Sequence, residues 1–280
     1  MTTGYSANKY DMYRPEIWTP RITRYMEEKF YAVKFFADYS ADIVGADTVH
    51  IPHISDQFTA TAIPTTTGEV TLTDISETKT DLSVDQWYGA AFVMTKFEER
   101  EIMKRPNIIN EYSKKIGHKL GRTVEQAILA NLTSLTPTAG DTATDIYSTN
   151  IESAFGILES NSVPREECRI FVRPKVYWEQ IMNIQKYYDA SQYGRSTVPD
   201  GIHDYLYGVP LILTSNLPNA TGDLGAANAI VHNEAIAFAL GNPDFTTKET
   251  EHLRRKLIGD VMYGDIILNP TWGVQLYSTD

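Results

Sequence analysis

Residues Ile108 to Leu135 read IINEYSKKIGHKLGRTVEQAILANLTSL. Apolar side chains fall at Ile109, Tyr112, Ile116, Leu120, Val124, Ala127, Ile128 and Leu132, three or four apart, and no proline interrupts them. That spacing matches the 3.6-residue period of an amphipathic helix. Lys114, Lys115, Lys119, Arg122 and Glu125 lie mostly off the apolar stripe and predict a solvent face. A helix of about 28 residues spans about 42 Å at 1.5 Å per residue, against a mean near 11–12 residues in globular proteins. Gly117 and Gly121, four apart, allow another backbone to approach closely. GxxxG acts as a membrane motif only inside an apolar stretch, so packing is expected here.

Upstream, Phe97–Arg105 is charged, with Glu98, Glu99 and Glu101 as an acidic group, and Pro106-Asn107 marks the helix start. Val49–Ile54 alternates with a period of two and reads as a strand; Pro52 assigns it to a sheet edge or a bulge. Gln57–Val84 is Thr-rich and alternating, with few bulky residues for a core of its own. An isolated hairpin is marginal in water, so this segment predicts an extended β-arm that lies on another surface. Ala90–Lys96 predicts the strand returning to the body. At the N-terminus, Met1–Pro15 reads as a polar, Tyr-rich arm. A helical pattern then runs through Ile17, Ile22, Tyr25, Met26, Phe30, Val33 and Phe36, broken by Pro20 and ending near Tyr39-Ser40.

Downstream, Thr136–Asp145 is a loop and a subdomain boundary. Tyr147–Ser160 reads as a helix, Cys168–Val172 as a buried strand, and Pro174 as the start of a helix carrying Val176, Trp178, Ile181 and Ile184. Tyr187–Asp200 is a polar loop. Tyr207–Leu213 gives a turn and a strand, Leu217–Ala227 a Gly/Asn loop, Ala229–His232 a strand, and Glu234–Leu240 one more short element. Helices alternating with strands define a compact α/β unit. The tail, Lys248–Ile258 and Ile266–Tyr277 around an Asn269-Pro270 turn, supplies strands with no local partner. They are expected to return to a sheet beside the long helix.

Composition narrows the function classes. The formal net charge is -11 and the pI about 5.0, whereas tight duplex binding needs clustered Lys and Arg. Such a charge also opposes association of copies, so any assembly must overcome it through large apolar contacts. The single cysteine, Cys168, excludes an internal disulfide and a cysteine zinc cage; a buried thiol in a reducing cytosol is expected. The start, Met1-Thr2-Thr3-Gly4-Tyr5, lacks a signal-peptide core, and no stretch reaches about 18 apolar residues. GxxxxGK(S/T), GxGxxG and GxSxG motifs are absent. The histidines are His50, His53, His118, His203, His232 and His252, without HxxxH spacing. His50 and His53, three apart on a strand, point to opposite faces and predict no shared metal. Glu166-Glu167 reads as a solvated pair, and Arg254-Arg255-Lys256 as inter-subunit salt bridges or solvated charge. No catalytic, cofactor-binding or metal-binding residue is assigned.

The order of elements — arm and helix, Thr-rich hairpin, charged lead-in, long helix, α/β unit, returning strands — resembles the tailed-bacteriophage major capsid fold, shared with encapsulins and the herpesvirus capsid floor. Ile170-Phe171-Val172-Arg173-Pro174, the later Tyr207-Gly208-Val209-Pro210-Leu211 and the tail Gly259-Asp260-Val261-Met262-Tyr263-Gly264 look like that family's strands. The resemblance implies an α+β fold. Its N-terminal arm and helix would take residues 1–46 and its extended β-hairpin loop 47–97. A peripheral domain would comprise 98–144 and 245–280 with a spine helix at 108–135, and an α/β axial domain 145–244. It implies a structural coat protein, not an enzyme, that needs no cofactor. Such a protein would assemble in a bacterial host's cytoplasm through hexamers and pentamers into an icosahedral virion shell around double-stranded DNA, with weak, non-specific DNA contact and no membrane. A portal, a decoration protein and a separate scaffolding protein are the implied partners, the last because the chain starts almost directly at the arm. Some relatives crosslink a loop Lys to a peripheral-domain Asn; Lys79 and Asn269 are the nearest candidates. The alternatives are an encapsulin-like compartment, another phage structural protein, and an α/β enzyme with a pocket in Asp145–Leu240.

Overall fold

The computed structural model describes residues 30–43, 47–54, 62–63, 77–95, 107–184, 205–220, 225–241, 244–250 and 254–279. The expected arm over Met1–Pro15, most of the following helix, the middle of the hairpin, the Glu98–Glu101 lead-in, the loop Tyr187–Asp200, His203 and His252 lie outside the described residues.

The long helix is α2, Asn107–Ala130, about 36 Å at 1.5 Å per residue. It stops short of the expected Leu135. Asn131–Ser134 tightens into a 3-10 turn and Leu135 is extended. Leu132 and Leu135 are both buried, and the Thr136 N–H donates to Pro270 O, so burial and that bond draw the chain off the helix axis. Ile116, Leu120, Val124 and Ile128 form the buried stripe.

That stripe packs on a five-stranded sheet built around β12 (Arg254–Ile267). On one side β12 pairs for ten residues with β4 (Gln86–Thr95), from Arg254↔Thr95 to Tyr263↔Gln86. On the other it pairs with β10 (Ile236–Leu240) and β11 (Asp244–Thr250). β1 (Ala37–Asp38) adds in parallel to β10. Here the structure corrects the sequence. In the described residues the first helix, α1, is one turn at Ala32–Phe35 and does not reach Tyr39. Phe36 turns extended to stack on Phe171 (5.8 Å between ring centres), and β10 captures the next two residues as β1.

A second, six-stranded sheet has the order β5-β13-β9-β6-β8-β7, with β5 Thr138–Gly140, β6 Cys168–Val172, β7 Tyr205–Leu206, β8 Val209–Leu213, β9 Ala226–His232 and β13 Gly273–Ser278. α3 (Ser148–Ser160) and α4 (Pro174–Glu179) pack against it through Ile151, Phe155, Leu158 and Val176. The chain breaks at Gln180 into a 3-10 turn, so Ile181 sits outside the helix expected to carry it. Tyr207 and Gly208 both take positive φ (53° and 84°) in the tight turn between β7 and β8.

The returning tail divides, contrary to expectation. β12 joins the sheet beside α2, whereas β13 inserts between β5 and β9 of the second sheet. β13 is buried on both faces, so the half-exposed alternation that marks an outer strand is absent there. β10, expected in the α/β unit, pairs instead with β12. The two sheets share a core: Phe171, Ala229 and Val231 of the second pack in the same cluster as the α2 stripe.

β2 (Thr48–Ile54) and β3 (Glu77–Ser83) form a separate two-stranded antiparallel ribbon, Thr48↔Ser83 through Ile54↔Glu77. The ribbon falls within the expected 47–97 loop and takes in the strand expected at Val49–Ile54, with Pro52 on an edge strand as predicted.

Candidate assembly surfaces

The root of the β2–β3 ribbon is fastened to the first sheet. Ile51 and Leu82 pack on Ala237 and Ala239 of β10. These alanines pair with Ile266 and Gly264, so all four share the sheet face turned away from α2. Gly264 meets the ribbon closely: an added Cβ would lie 2.0 Å from the Ser83 carbonyl oxygen. Only a residue without a side chain permits that approach. Beyond its root the ribbon pairs with no further strand among the described residues.

The rest of that outer face is open. β4 alternates, with Tyr88, Ala90, Phe92 and Met94 turned inward and Trp87, Gly89, Ala91 and Val93 outward. The outward set sits opposite Met262, Asp260, Ile258 and Lys256 of β12. Trp87 is 70% exposed, and Val93 and Met262 are nearly half exposed. The Trp87 indole N–H donates to Asp260 Oδ2 (2.9 Å), which fixes the ring across the strand pair. An exposed Trp beside Val, Ile and Met is the composition of an interface centre. On the far side of β4 no strand is paired among the described residues.

A carboxylate holds the point where the N-terminal segment joins the body. Glu125 of α2 is fully buried. It accepts the backbone N–H groups of Tyr31 (2.8 Å), Ala32 (2.9 and 3.1 Å) and Val33 (3.4 Å), the first turn of α1. Those donors have no partner within the helix, and the Tyr31 side chain does not cap them. Alongside, Phe30 stacks on His118 (5.0 Å), and a Cβ on Gly121 would lie 2.7 Å from the Phe30 ring. The Gly117/Gly121 reading as a packing device is met at Gly121.

One carboxyl and one phenol on β12, Asp265 and Tyr263, are perturbed. Burial raises the Asp265 pKa above the usual 3.8; the Asn131 amide donates to it and lowers it, and Asp85 raises it further. Burial pushes Tyr263 up to about 12, with Tyr88 stacked on it at 5.7 Å and Asp265 and Asp85 adding to the rise.

The described histidines, His50, His53, His118 and His232, do not converge. His50 Nδ1–H donates to its cross-strand partner Asp81 (2.6 Å), and this bond is the main reason the Asp81 pKa is lowered. His232 is buried; its Nδ1 accepts the Glu234 N–H (3.2 Å) and its Nε2 lies 3.2 Å from Glu167 Oε2. Among the described residues no three His, Cys, Asp or Glu side chains group closely enough to hold a metal. Cys168 donates to Pro164 O, and burial raises its thiol pKa to about 11, an inert state. Lys79 bonds Asp81 (3.2 Å), and the Asn269 N–H bonds Ala235 O; the crosslink candidates do not bond each other within one chain. The α/β unit carries a polar cleft of about 330 Å³ lined, among the described residues, by Asp145, Tyr147, Ser148, Glu179, Gln180 and Asn183 with Ile146 and Ile184. Asp145 is engaged by the Thr279 hydroxyl (2.6 Å). No helix among the described residues is long and apolar enough to cross a membrane.

Neither Glu125 nor the Trp87–Met262 face was assigned from sequence. The first needs a partner more than ninety residues away, and the second appears only once β4 and β12 are paired.

Comparison with known proteins bears on this geometry. No family model matches the sequence, and no curated protein matches it. Solved structures do. A chain from Mycobacterium phage Che8 superposes with a TM-score of 0.78 at 16% identity, over 94% of this chain and 97% of that one. A chain from the capsid of cyanophage P-SCSP1u gives 0.75 at 16%, over 99% and 96%. One from the head of Helicobacter pylori bacteriophage KHP40 gives 0.74 at 10%, over 99% of each. The chain has the α+β tailed-phage major capsid fold that the order of elements implied.

Proposed function

We propose that this protein is a structural coat subunit that assembles through hexamers and pentamers into a closed icosahedral shell around double-stranded DNA. The β2–β3 ribbon carries the reading: it is anchored at its root by Ile51 and Leu82 and pairs with no other strand among the described residues. Such a ribbon is stable when it lies on another surface, and the open Trp87–Val93–Met262 face of a neighbouring copy is a surface of matching chemistry. Many such contacts per copy, each modest, sum to a strong closed assembly. The near end-to-end likeness to chains of a phage capsid and a phage head supports the same role.

In this reading residues 1–46 are the N-terminal arm, 47–97 the extended loop and 145–244 the axial domain. Residues 98–144 with 245–280 form the peripheral domain around α2, with β13 lending its strand to the axial sheet. The role is architectural, not catalytic, and the location is the virion. A scaffolding protein, a portal and packaged DNA are the partners. Lys79 and Asn269 are candidates for a link between copies.

The test is electron microscopy of the expressed chain with and without a scaffolding protein from the same source. Closed shells, or hexamers and pentamers that close when scaffold is added, are expected. A monomer or dimer that never assembles under either condition overturns the reading. Shells that form in a cell free of phage and enclose a protein cargo would assign a compartment instead of a virion.

A further inference from the structure

The face of α2 turned away from the sheet carries a charge that the chain as a whole does not. The net charge is -11. Yet from Glu111 to Arg122 the helix presents Lys114, Lys115, Lys119 and Arg122 against a single acid, Glu111, which Lys114 pairs at 3.5 Å. Lys115, Lys119 and Arg122 follow i, i+4, i+7 spacing and so form one stripe. That stripe lies opposite the buried Ile116–Leu120–Val124 row. Lys115 and Lys119 are exposed. Arg122 is half-buried, and its Nε–H donates to Asn216 Oδ1 (3.0 Å), a neutral acceptor that orients the guanidinium without neutralising it. The loop holding Asn216 also binds Arg173, whose Nη2 donates to Leu217 O (2.9 Å) and Asn219 Oδ1 (2.5 Å). Lys115, Lys119, Arg122 and Arg173 thus border one surface formed by α2 and residues 216–219.

We propose that this surface is where the protein meets the phosphate backbone of duplex DNA. The shell reading supplies the identity of the polyanion; the placement rests on charge and geometry. The layer made of α2 and the first sheet has two sides. One is the apolar Trp87–Met262 face, suited to protein; the other is the cationic helix face, which can approach a polyanion without repulsion. Lys115 to Arg122 rise about 10.5 Å along the axis, the length of about three phosphates on one strand at 3.4 Å each. Side chains at a helical spacing contact phosphates regardless of base sequence, which suits weak and non-specific contact.

The experiment measures binding of a fluorescent mixed-sequence 30-base-pair duplex to the full unassembled chain across a salt series, by anisotropy. Each phosphate contact contributes about 0.9 to the slope of log affinity against log salt. Lys115→Gln with Lys119→Gln should flatten the slope by about 1.8 and Lys119→Gln alone by about 0.9, while Lys79→Gln on the ribbon leaves it unchanged. An unchanged slope in the double variant, or no duplex binding by the wild type in low salt, overturns the proposal. So does a double variant that binds duplex normally but no longer forms shells, because the face then serves a neighbouring copy. Shell formation, scored separately by microscopy, tests the function reading: its failure with the slope effect intact would remove the shell and keep the surface.

Discussion

Replacing Glu125 by alanine should release the junction between the N-terminal segment and the body. The carboxylate satisfies three backbone donors of α1 while fully buried. A hydrogen bond to a charged group contributes about 1.5–3 kcal/mol, and orphaning a buried donor costs a similar amount. The three donors sit in one short turn that can shift and admit water, so their losses do not add in full. A total of about 3–5 kcal/mol is expected, as for other broken buried charge networks. At about 2–4 °C per kcal/mol for a chain of this size, the unassembled variant should melt roughly 6–20 °C below wild type. Glu125→Gln keeps an acceptor oxygen and should lose about half as much. Circular dichroism melts give the magnitude, and hydrogen exchange at the Ala32 and Val33 amides shows whether the loss is local. A Glu125→Ala melt within 2 °C of wild type, with those amides still protected, would refute the reasoning: the turn would then be held by Phe36 against Phe171 and not by the carboxylate.

Gly264→Ala forces a Cβ to within 2.0 Å of the Ser83 carbonyl; overpacking of this kind costs about 1–3 kcal/mol or more, and shells seen by electron microscopy should disappear while the body keeps its fold by circular dichroism. Asp265 titrates higher in the folded chain than the 3.8 of an ordinary Asp, so its contribution is full below 3.8 and is lost as the pH rises through the raised native value. Asp265→Asn, which keeps an acceptor for Asn131, should therefore melt at or above wild type at pH 7 and lose that advantage below pH 3.8. With its thiol pKa near 11, Cys168 should resist thiol reagents at pH 8 in the native chain and react fully in denaturant. Trp87→Ser with Val93→Ser changes exposed side chains only; monomer melts should barely move, while the concentration needed for assembly rises more than tenfold if Trp87 anchors the interface at 2 kcal/mol or more.

What could be read from the sequence was what is local. α2 shows its stripe because eight apolar residues repeat within one segment, and α3 and β6 are equally self-evident. Of the ribbon, β2 was legible from the alternation of Val49–Ile54 and β3 from a lack: Thr-rich alternation without core residues. Pairing between distant segments was not legible. β13 contacts β9 at a separation of forty or more residues, from Gly273↔Val231 to Ser278↔Ala226, and is buried on both faces, so no pattern names its sheet. β1 is two residues drawn out of a helical pattern by the free edge of β10. Glu125 looked like one more charge beside the stripe; only the position of α1 makes it a clasp. The candidate assembly face hid for a related reason: Ala90–Lys96 read as a plain apolar run, whereas the strand begins at Gln86 and turns Trp87 outward.

In the proposed assembly an acidic chain must keep like charges away from its contacts, and the β4 side of the outer sheet face does so. On its β4 side the outer sheet face has Trp87, Ala91, Val93, Ile258 and Met262, with Asp260 drawn into the Trp87 hydrogen bond and Lys256 at one end, while the exposed Asp244 of β11 lies across β12 from Asp260. Burying the β4 side against another copy brings few acids together, so the -11 net charge opposes association weakly at that contact and mainly at long range, where salt screens it beyond about 10 Å at 0.1 M. Assembly should therefore be promoted by moderate salt, which weakens repulsion between copies and leaves apolar burial intact. The same salt should weaken binding of duplex DNA at the proposed cationic face of α2. Opposite salt responses from two sides of one layer are what separate faces of different chemistry require; a single shared patch would respond in one direction only.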